Sequence, residues 1–221
     1  MQNLIRQEQF ELEVLEKLNS KKFLNQLIFG GGTMLRLCYG LNRFSVDLDF
    51  WIIKKIDTKL LFSVLREYLS QFYTLTDSEN KFYTLLFELK SKNYPRRLKI
   101  EIRKGIKKIE TEKAIAYSKY SNTQVLLNVV ALKEMMISKI KTFLERQEIR
   151  DVFDIEFLLK KGANFPDSKD VLKKLLTGVN ALTKRDYSVK LGSLLDAEQR
   201  KYYSSENFKI LKLALKENLS S

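Results

Sequence analysis

The chain has 221 residues, enough for one good-sized core or a core with a smaller helical annex. Its 44% hydrophobic content and two prolines exclude a disordered chain, and no apolar run approaches the roughly 18 residues of a membrane span. The lack of histidine removes His-based triads, histidine general bases and most zinc sites, the single Cys38 removes an intrachain disulfide, and a net charge of +13 points to a polyanionic partner such as nucleic acid.

The opening stretch, "MQNLIRQEQFELEVLEKLNS", mixes charged and apolar residues at helical spacing, with Leu4, Ile5, Leu12, Leu15 and Leu18 near one face. It lacks the apolar core and small-residue cleavage site of a signal peptide, so the expected address is the cytoplasm. "QLIF" reads as a short buried strand closed by Gly30, Gly31 and Gly32. Thr33 is a candidate N-cap for the helix "MLRLCY", which Gly40 ends. "SVDLDFWII" has the β-branched and aromatic content of a strand, and Asp57 caps a helix running to Phe72. Three extended runs follow, "FYTLTD", "KFYTLLFELK" and "RRLKIEIRK", with "ENK" as a turn between the first two. From about residue 124 the pattern turns helical. "VLLNVVALKEMMISKIKTFLERQ" and "RDVFDIEFLLKKG" read as helices, Gly162 stops the second, and the remainder reads as further helices. The expected fold is α/β (α+β): a mixed sheet flanked by helices over residues 1–123, then an all-α half over residues 124–221.

The chemistry concentrates in the acidic strand. Side chains on a strand alternate faces, so Asp47 and Asp49 point one way and Leu48 and Phe50 the other. Two neighbouring carboxylates repel unless a cation neutralises them, and Mg²⁺ (or Mn²⁺) takes such oxygen ligands together with water and substrate phosphates. The alternative is a pair of solvent-facing acids on a half-exposed strand. The glycine turn lies between a strand and a helix, where backbone amides can approach a phosphate. In "LKIEIRK", Glu101 shares a face with Lys99 and Arg103. If that strand pairs beside the Asp47 strand, Glu101 completes a two-metal arrangement or serves as base for an incoming hydroxyl; otherwise it is a cross-strand ion pair. Phosphoryl and nucleotidyl transfer need these parts: positioned phosphates and neutralised charge.

These residues resemble a family. "GGTMLRLCYGLNRFSVDLDF" is similar to the signature of the AbiEii/AbiGii-type nucleotidyltransferases, the toxin halves of abortive-infection and type IV toxin–antitoxin systems, within the DNA-polymerase-β-like nucleotidyltransferase superfamily. "EMMISKIKTFLERQEIRDVFDIEFLL" resembles the family's later motifs, here Glu134, Lys139, Arg150, Asp151 and Asp154. The likeness spans about residues 25–160. It implies a nucleotidyltransferase fold whose helical half completes the nucleotide site. It also implies an NTP substrate, Mg²⁺ or Mn²⁺ on Asp47, Asp49 and Glu101, and phosphates at Gly31, Gly32, Thr33 and Arg36, with Lys139 and Asp154 at the triphosphate. Transfer of an NMP to RNA, with the tRNA 3′ end as acceptor, and a cognate antitoxin encoded nearby are further expectations. No membrane role is expected.

Several residues stay open on the sequence alone. Lys139 falls between Leu132 and Met135 inside an apolar arc, so it snorkels out or meets a buried anion; Lys133 shares that arc. Asp151 is either an N-cap or a buried acid, and Asp154 is a candidate partner for Lys139, Arg150 or the nucleotide. Arg36 and Arg43 are ion-pair partners or phosphate contacts. Trp51, Tyr68 and Phe72 read as packing residues and Cys38 as a small buried hydrophobe. Rival readings are transfer to a protein hydroxyl or small molecule, and a non-catalytic basic nucleic-acid-binding module.

Overall fold

A computed structural model describes residues 2–106 and 108–220. The chain forms two compact units, one running to Gly40 and from Phe44 to Val130, the other comprising Leu41–Arg43 and the chain from Ala131 onward.

The first unit begins with helix α1 (Gln2–Ser20), whose Phe10, Leu12, Val14, Leu15 and Leu18 are buried. A 3₁₀ turn (Phe23–Gln26) leads into β1 (Leu27–Gly30), α2 (Gly31–Tyr39), β2 (Asp47–Ile52) and α3 (Thr58–Ser70). The Asp57 carboxylate caps α3, accepting from the Lys59 and Leu60 amides. Then come β3 (Thr74–Asn80), β4 (Thr84–Lys90), β5 (Leu98–Arg103), β6 (Thr111–Ala116) and β7 (Val125–Val130). All seven strands form one sheet in the order β3-β4-β5-β2-β1-β7-β6. β2 runs parallel to β5 and β1 parallel to β7, while the other pairs are antiparallel. On one face Leu48, Phe50, Ile100, Ile102, Leu85 and Phe87 are buried, with Phe50 against Phe29 and Phe87 against Phe62 of α3.

Two expectations change, and one strand was not foreseen. Residues 125–130 form a strand, not the start of a helix: Val125, Val129 and Val130 suit a strand buried beside β1, and the helix starts only at Leu132. β6, a Thr-Glu-Lys edge strand, carries no apolar alternation and gave no signal. β3 also extends to Asn80, moving the hairpin turn from "ENK" to residues 81–83.

The second unit is helical: α4 (Leu132–Arg146), α5 (Ile149–Lys160), α6 (Lys169–Asn180), a π-type segment (Asp186–Leu191), α7 (Ala197–Glu206) and α8 (Lys209–Ser220). α5 packs against α4 and α8, and Gly162, at φ +85°, ends its run. Of the expected packing residues, Trp51 and Tyr68 are buried, whereas Phe72 is nearly half exposed, with Lys17 above its ring. Cys38 is only half-buried, and burial still pushes its thiol up to about 12.

Candidate active site

The acidic residues converge through strand register. Asp47 pairs with Lys99 and Asp49 with Glu101 across the parallel β2–β5 ladder, so four charged side chains leave one face of two adjacent strands. Asp47 and Asp49 are half-buried there, while Leu48 and Phe50 anchor the strand from the other side. Lys99 forms an ion pair with Glu101. Its hydrogen bond to Glu101 raises the Lys99 ammonium above its usual range; burial opposes this, and the charges of Glu101, Asp47 and Asp49 reinforce it. Lys99 thus reports the field of all three acids.

The glycine turn is shaped around this face. Gly30 pairs with Asp49 in the β1–β2 ladder, and the chain then turns into α2 with Gly31 at φ +76°. A Cβ at Gly31 would collide with the Asp49 carboxylate, and one at Gly30 would collide with the Trp51 ring. Gly30 occupies the N-cap position, so Thr33 does not cap the helix. Buried Thr33 instead donates its hydroxyl proton to the backbone oxygen of Asp47 at 2.6 Å, fixing the acidic strand to the first turn of α2. Gly32 is buried in that same turn.

Arg36 makes an ion pair with α1. Its guanidinium binds Glu8 of α1 and lies 3.9 Å above the Phe44 ring, and Glu8 also accepts from the Ser118 hydroxyl. Beside Glu8, Glu11 is fully buried, and neither carboxylate oxygen has a hydrogen-bond partner among the described residues. Burial first, then the Glu8 charge, holds Glu11 well above the ordinary carboxyl range, with Asp47 adding to the rise. The sequence reading missed Glu8 and Glu11, although both fall at helical spacing from Leu12 and Leu15, inside the apolar stripe of α1.

The donors suit a hard cation. Asp47, Asp49 and Glu101 offer only carboxylate oxygens on one face, as Mg²⁺ requires. Among the described residues no group of three or more His, Cys, Asp or Glu side chains is placed to hold a metal ion by itself. An open set of carboxylates matches a cation that completes its shell with water and substrate phosphate.

The second unit holds a buried ionic cluster on α4 and α5. Asp154, fully buried, accepts two hydrogen bonds from Arg43, each at 2.6 Å, and pairs with Lys139 Nζ at 2.7 Å. Asp151, also fully buried, takes the Arg146 guanidinium at 2.7 and 2.8 Å and lies 3.5 Å from Lys139 Nζ. Burial alone would raise the Asp154 carboxyl; Arg43, then Lys139, outweighs it and holds the group below the ordinary range. Asp151 is therefore a buried acid inside α5, where Glu148 takes the N-cap position, and Arg150 stays exposed. Arg43, like Arg36, makes an ion pair with a buried acid. Arg146 was not flagged by the sequence, yet it lies five residues before Asp151.

The family profile of the nucleotidyl transferase AbiEii toxin, type IV TA system, matches residues 13–216. The chain belongs to the AbiEii nucleotidyltransferase toxins. Among solved structures, JHP933 from Helicobacter pylori is similar at TM-score 0.56 and 21% identity, covering 94% of this chain and 93% of that one. A second H. pylori structure, described as a candidate nucleotidyltransferase, has TM-score 0.57 and 20% identity, covering 94% and 96%. At such identities these likenesses show the fold. Among curated proteins, none matches the chain. As an AbiEii nucleotidyltransferase the chain takes an NTP, and its type IV toxin–antitoxin family implies an antitoxin partner and a divalent metal. Among the described residues no helix is long and apolar enough to cross a membrane.

Proposed function

We propose that this AbiEii nucleotidyltransferase transfers an NMP from an NTP to an RNA acceptor, the 3′ end of tRNA, and thereby blocks aminoacylation and growth. The observation carrying this reading is the register of β2 and β5, which sets Asp47, Asp49 and Glu101 on one face beside the glycine start of α2. Asp47 and Asp49, with Glu101, hold Mg²⁺ or Mn²⁺. A bound divalent cation supplies neutralisation of the triphosphate and of charge developing at the leaving group. Gly31, Gly32 and Thr33 present the first turn of α2 to phosphate oxygens, with the positive end of the helix dipole behind them. Lys139, oriented by Asp154 and Asp151, grips the triphosphate.

The acceptor hydroxyl attacks the α-phosphorus, the bond to the bridging oxygen breaks, and pyrophosphate leaves with that electron pair. Glu101 accepts the hydroxyl proton. The net charge of +13 favours RNA over a neutral small molecule as acceptor. This reading needs the cytoplasm, where tRNA is charged, and an antitoxin encoded nearby.

The test is a labelling assay with total tRNA, Mg²⁺ and each α-labelled NTP in turn, beside an Asp47→Ala/Asp49→Ala double variant. Label on RNA only with the acidic pair intact supports the reading and names the nucleotide. Label on protein or a small molecule instead moves the acceptor to those classes. Metal-independent RNA binding without transfer reduces the chain to a binding module.

A further inference from the structure

Asp47 opens the β2–β5 ladder, whose registered pairs run from Asp47 with Lys99 to Trp51 with Arg103. The end of a ladder has neighbours on one side only and opens more readily than its middle. The first acid of the proposed cation site therefore sits where its own sheet holds it least. Two buried side chains reach that end from outside the sheet. Thr33 of α2 holds the Asp47 carbonyl. Gln7 of α1, fully buried, donates through Nε2 to the Val46 carbonyl at 3.4 Å and to the Arg97 carbonyl at 3.3 Å. Val46 is the residue before β2 and Arg97 the residue before β5. One amide thus bridges the two parallel strands just ahead of their first registered pair.

The side chain suits this task better than it suits packing. A bridge between two carbonyl oxygens needs two donors at one point, and a primary amide nitrogen carries two N–H groups. Because both neighbours accept, the amide is oriented with Nε2 toward the strands and Oε1 away from them. Gln7 Oε1 is buried there with no hydrogen-bond partner among the described residues. A buried acceptor without a donor costs stability, and an apolar side chain on this face of α1 would escape that cost. The glutamine is dear as core and useful as a clamp.

We infer that Gln7 is a positioning residue: its amide fixes the start of β2 against the start of β5, and so sets Asp47 and Asp49 relative to Glu101. It acts through two backbone carbonyls, one residue before Asp47 and four before Glu101. The inference rests on the reading of those three acids as the cation ligands. Misplacing reacting groups by about 1 Å costs about a hundredfold in rate, and contacts that orient metal ligands are worth about tenfold to a hundredfold in metal affinity.

The test compares the full wild-type chain with Gln7→Met, which keeps the bulk and loses both donors, and with Gln7→Asn, whose amide is one methylene short. Amide hydrogen exchange reads the clamp with no metal present. Val46 to Asp49 and Leu98 to Glu101 should exchange about tenfold faster in Gln7→Met, while β4 and the helical unit keep wild-type protection. Mn²⁺, alone and with an NTP whose α–β bridge is a methylene, reads the consequence by electron spin resonance. Its Kd should rise about tenfold with the number of sites per chain unchanged. A purely structural role gives the opposite pattern, fewer folded sites at an unchanged Kd. Thermal melts establish folding, and if Gln7→Met does not fold, Gln7→Asn carries the same two readouts. Unchanged exchange at both strand starts in a folded variant overturns the inference. So does faster exchange there with Mn²⁺ affinity at the wild-type value. An Asp47→Ala/Asp49→Ala variant separates this inference from the reading beneath it. If that variant binds Mn²⁺ as wild type does, the acids are not the cation ligands, and the clamp is judged on exchange alone.

Discussion

Asp49 and Glu101 are register partners on the parallel strands β2 and β5, so their carboxylates leave the same sheet face side by side, with Lys99 bound to Glu101. That pairing makes a definite expectation of the two acids. A metal-bound oxygen site contributes several kcal/mol to phosphoryl chemistry, so Asp49→Asn should cut NMP transfer at least about a hundredfold. Glu101→Gln, losing the proposed proton acceptor, should cost about a hundredfold or more. Chelation with EDTA should abolish wild-type transfer and excess Mg²⁺ restore it. Pyrophosphate release under saturating NTP measures all three.

Gly31→Ala should damage both fold and activity. A residue other than glycine at φ +76° costs roughly 1–2 kcal/mol, and here the added methyl also meets the Asp49 carboxylate. The expected result is an unfolding free energy in urea lower by about that amount with a larger fall in transfer, because the displaced group is a proposed metal ligand. Gly40→Ala is the control: it shares the positive φ, but nothing lies within 4 Å of its added Cβ. It should lose stability by strain while keeping the acidic face intact.

The acidic strand was legible because its period of two is strict from Asp47 to Phe50 and its neighbours are glycines and β-branched or aromatic residues. β7 was not, since "VLLNVV" runs straight into "ALKEMM" without a turn residue, and an apolar run of that length suits a buried strand or a helix equally. What hid it was its partner: parallel pairing with β1 joins Phe29 and Val129 across a hundred residues. The same distance hid the partner of Asp154. The acid stood out in an apolar stripe, but Arg43 lies 111 residues away, and only the folded chain brings them together.

Lys139 and Asp154 should separate when each is removed. Among the described residues three cations, Arg43, Lys139 and Arg146, meet two carboxylates, Asp151 and Asp154, leaving one positive charge in excess. Lys139→Met leaves two cations against two carboxylates, so the fold should hold while the KM for NTP rises. Asp154→Asn instead removes the buried carboxylate that Arg43 and Lys139 share, and breaking a buried pair typically costs about 3–5 kcal/mol. Its folded carboxyl sits below the unfolded value of 3.8, so the stability it supplies is present above that pH and fades as pH falls through the lower folded value. Urea melts between pH 3 and 7, a range set to bracket the linkage window, should show that acid-side slope in wild type and a reduced slope in Asp154→Asn.

Glu11 carries the opposite sign. Burial, with the Glu8 charge second, holds its proton more tightly in the folded chain than in the unfolded one. The stability this supplies is complete below the unfolded value of 4.5 and is lost as pH rises through the higher folded value. Glu11→Gln, which cannot ionise, should therefore raise the Tm near neutral pH by about 3 °C or more, the shift that roughly 1 kcal/mol produces in a chain of this size. The gain should shrink as pH approaches 4.5, where the wild-type carboxyl is itself neutral. Parallel melting curves across that range decide the matter. A gain of constant size at every pH would place the benefit in packing, and no gain at all would show that the buried carboxylate finds compensation in solution.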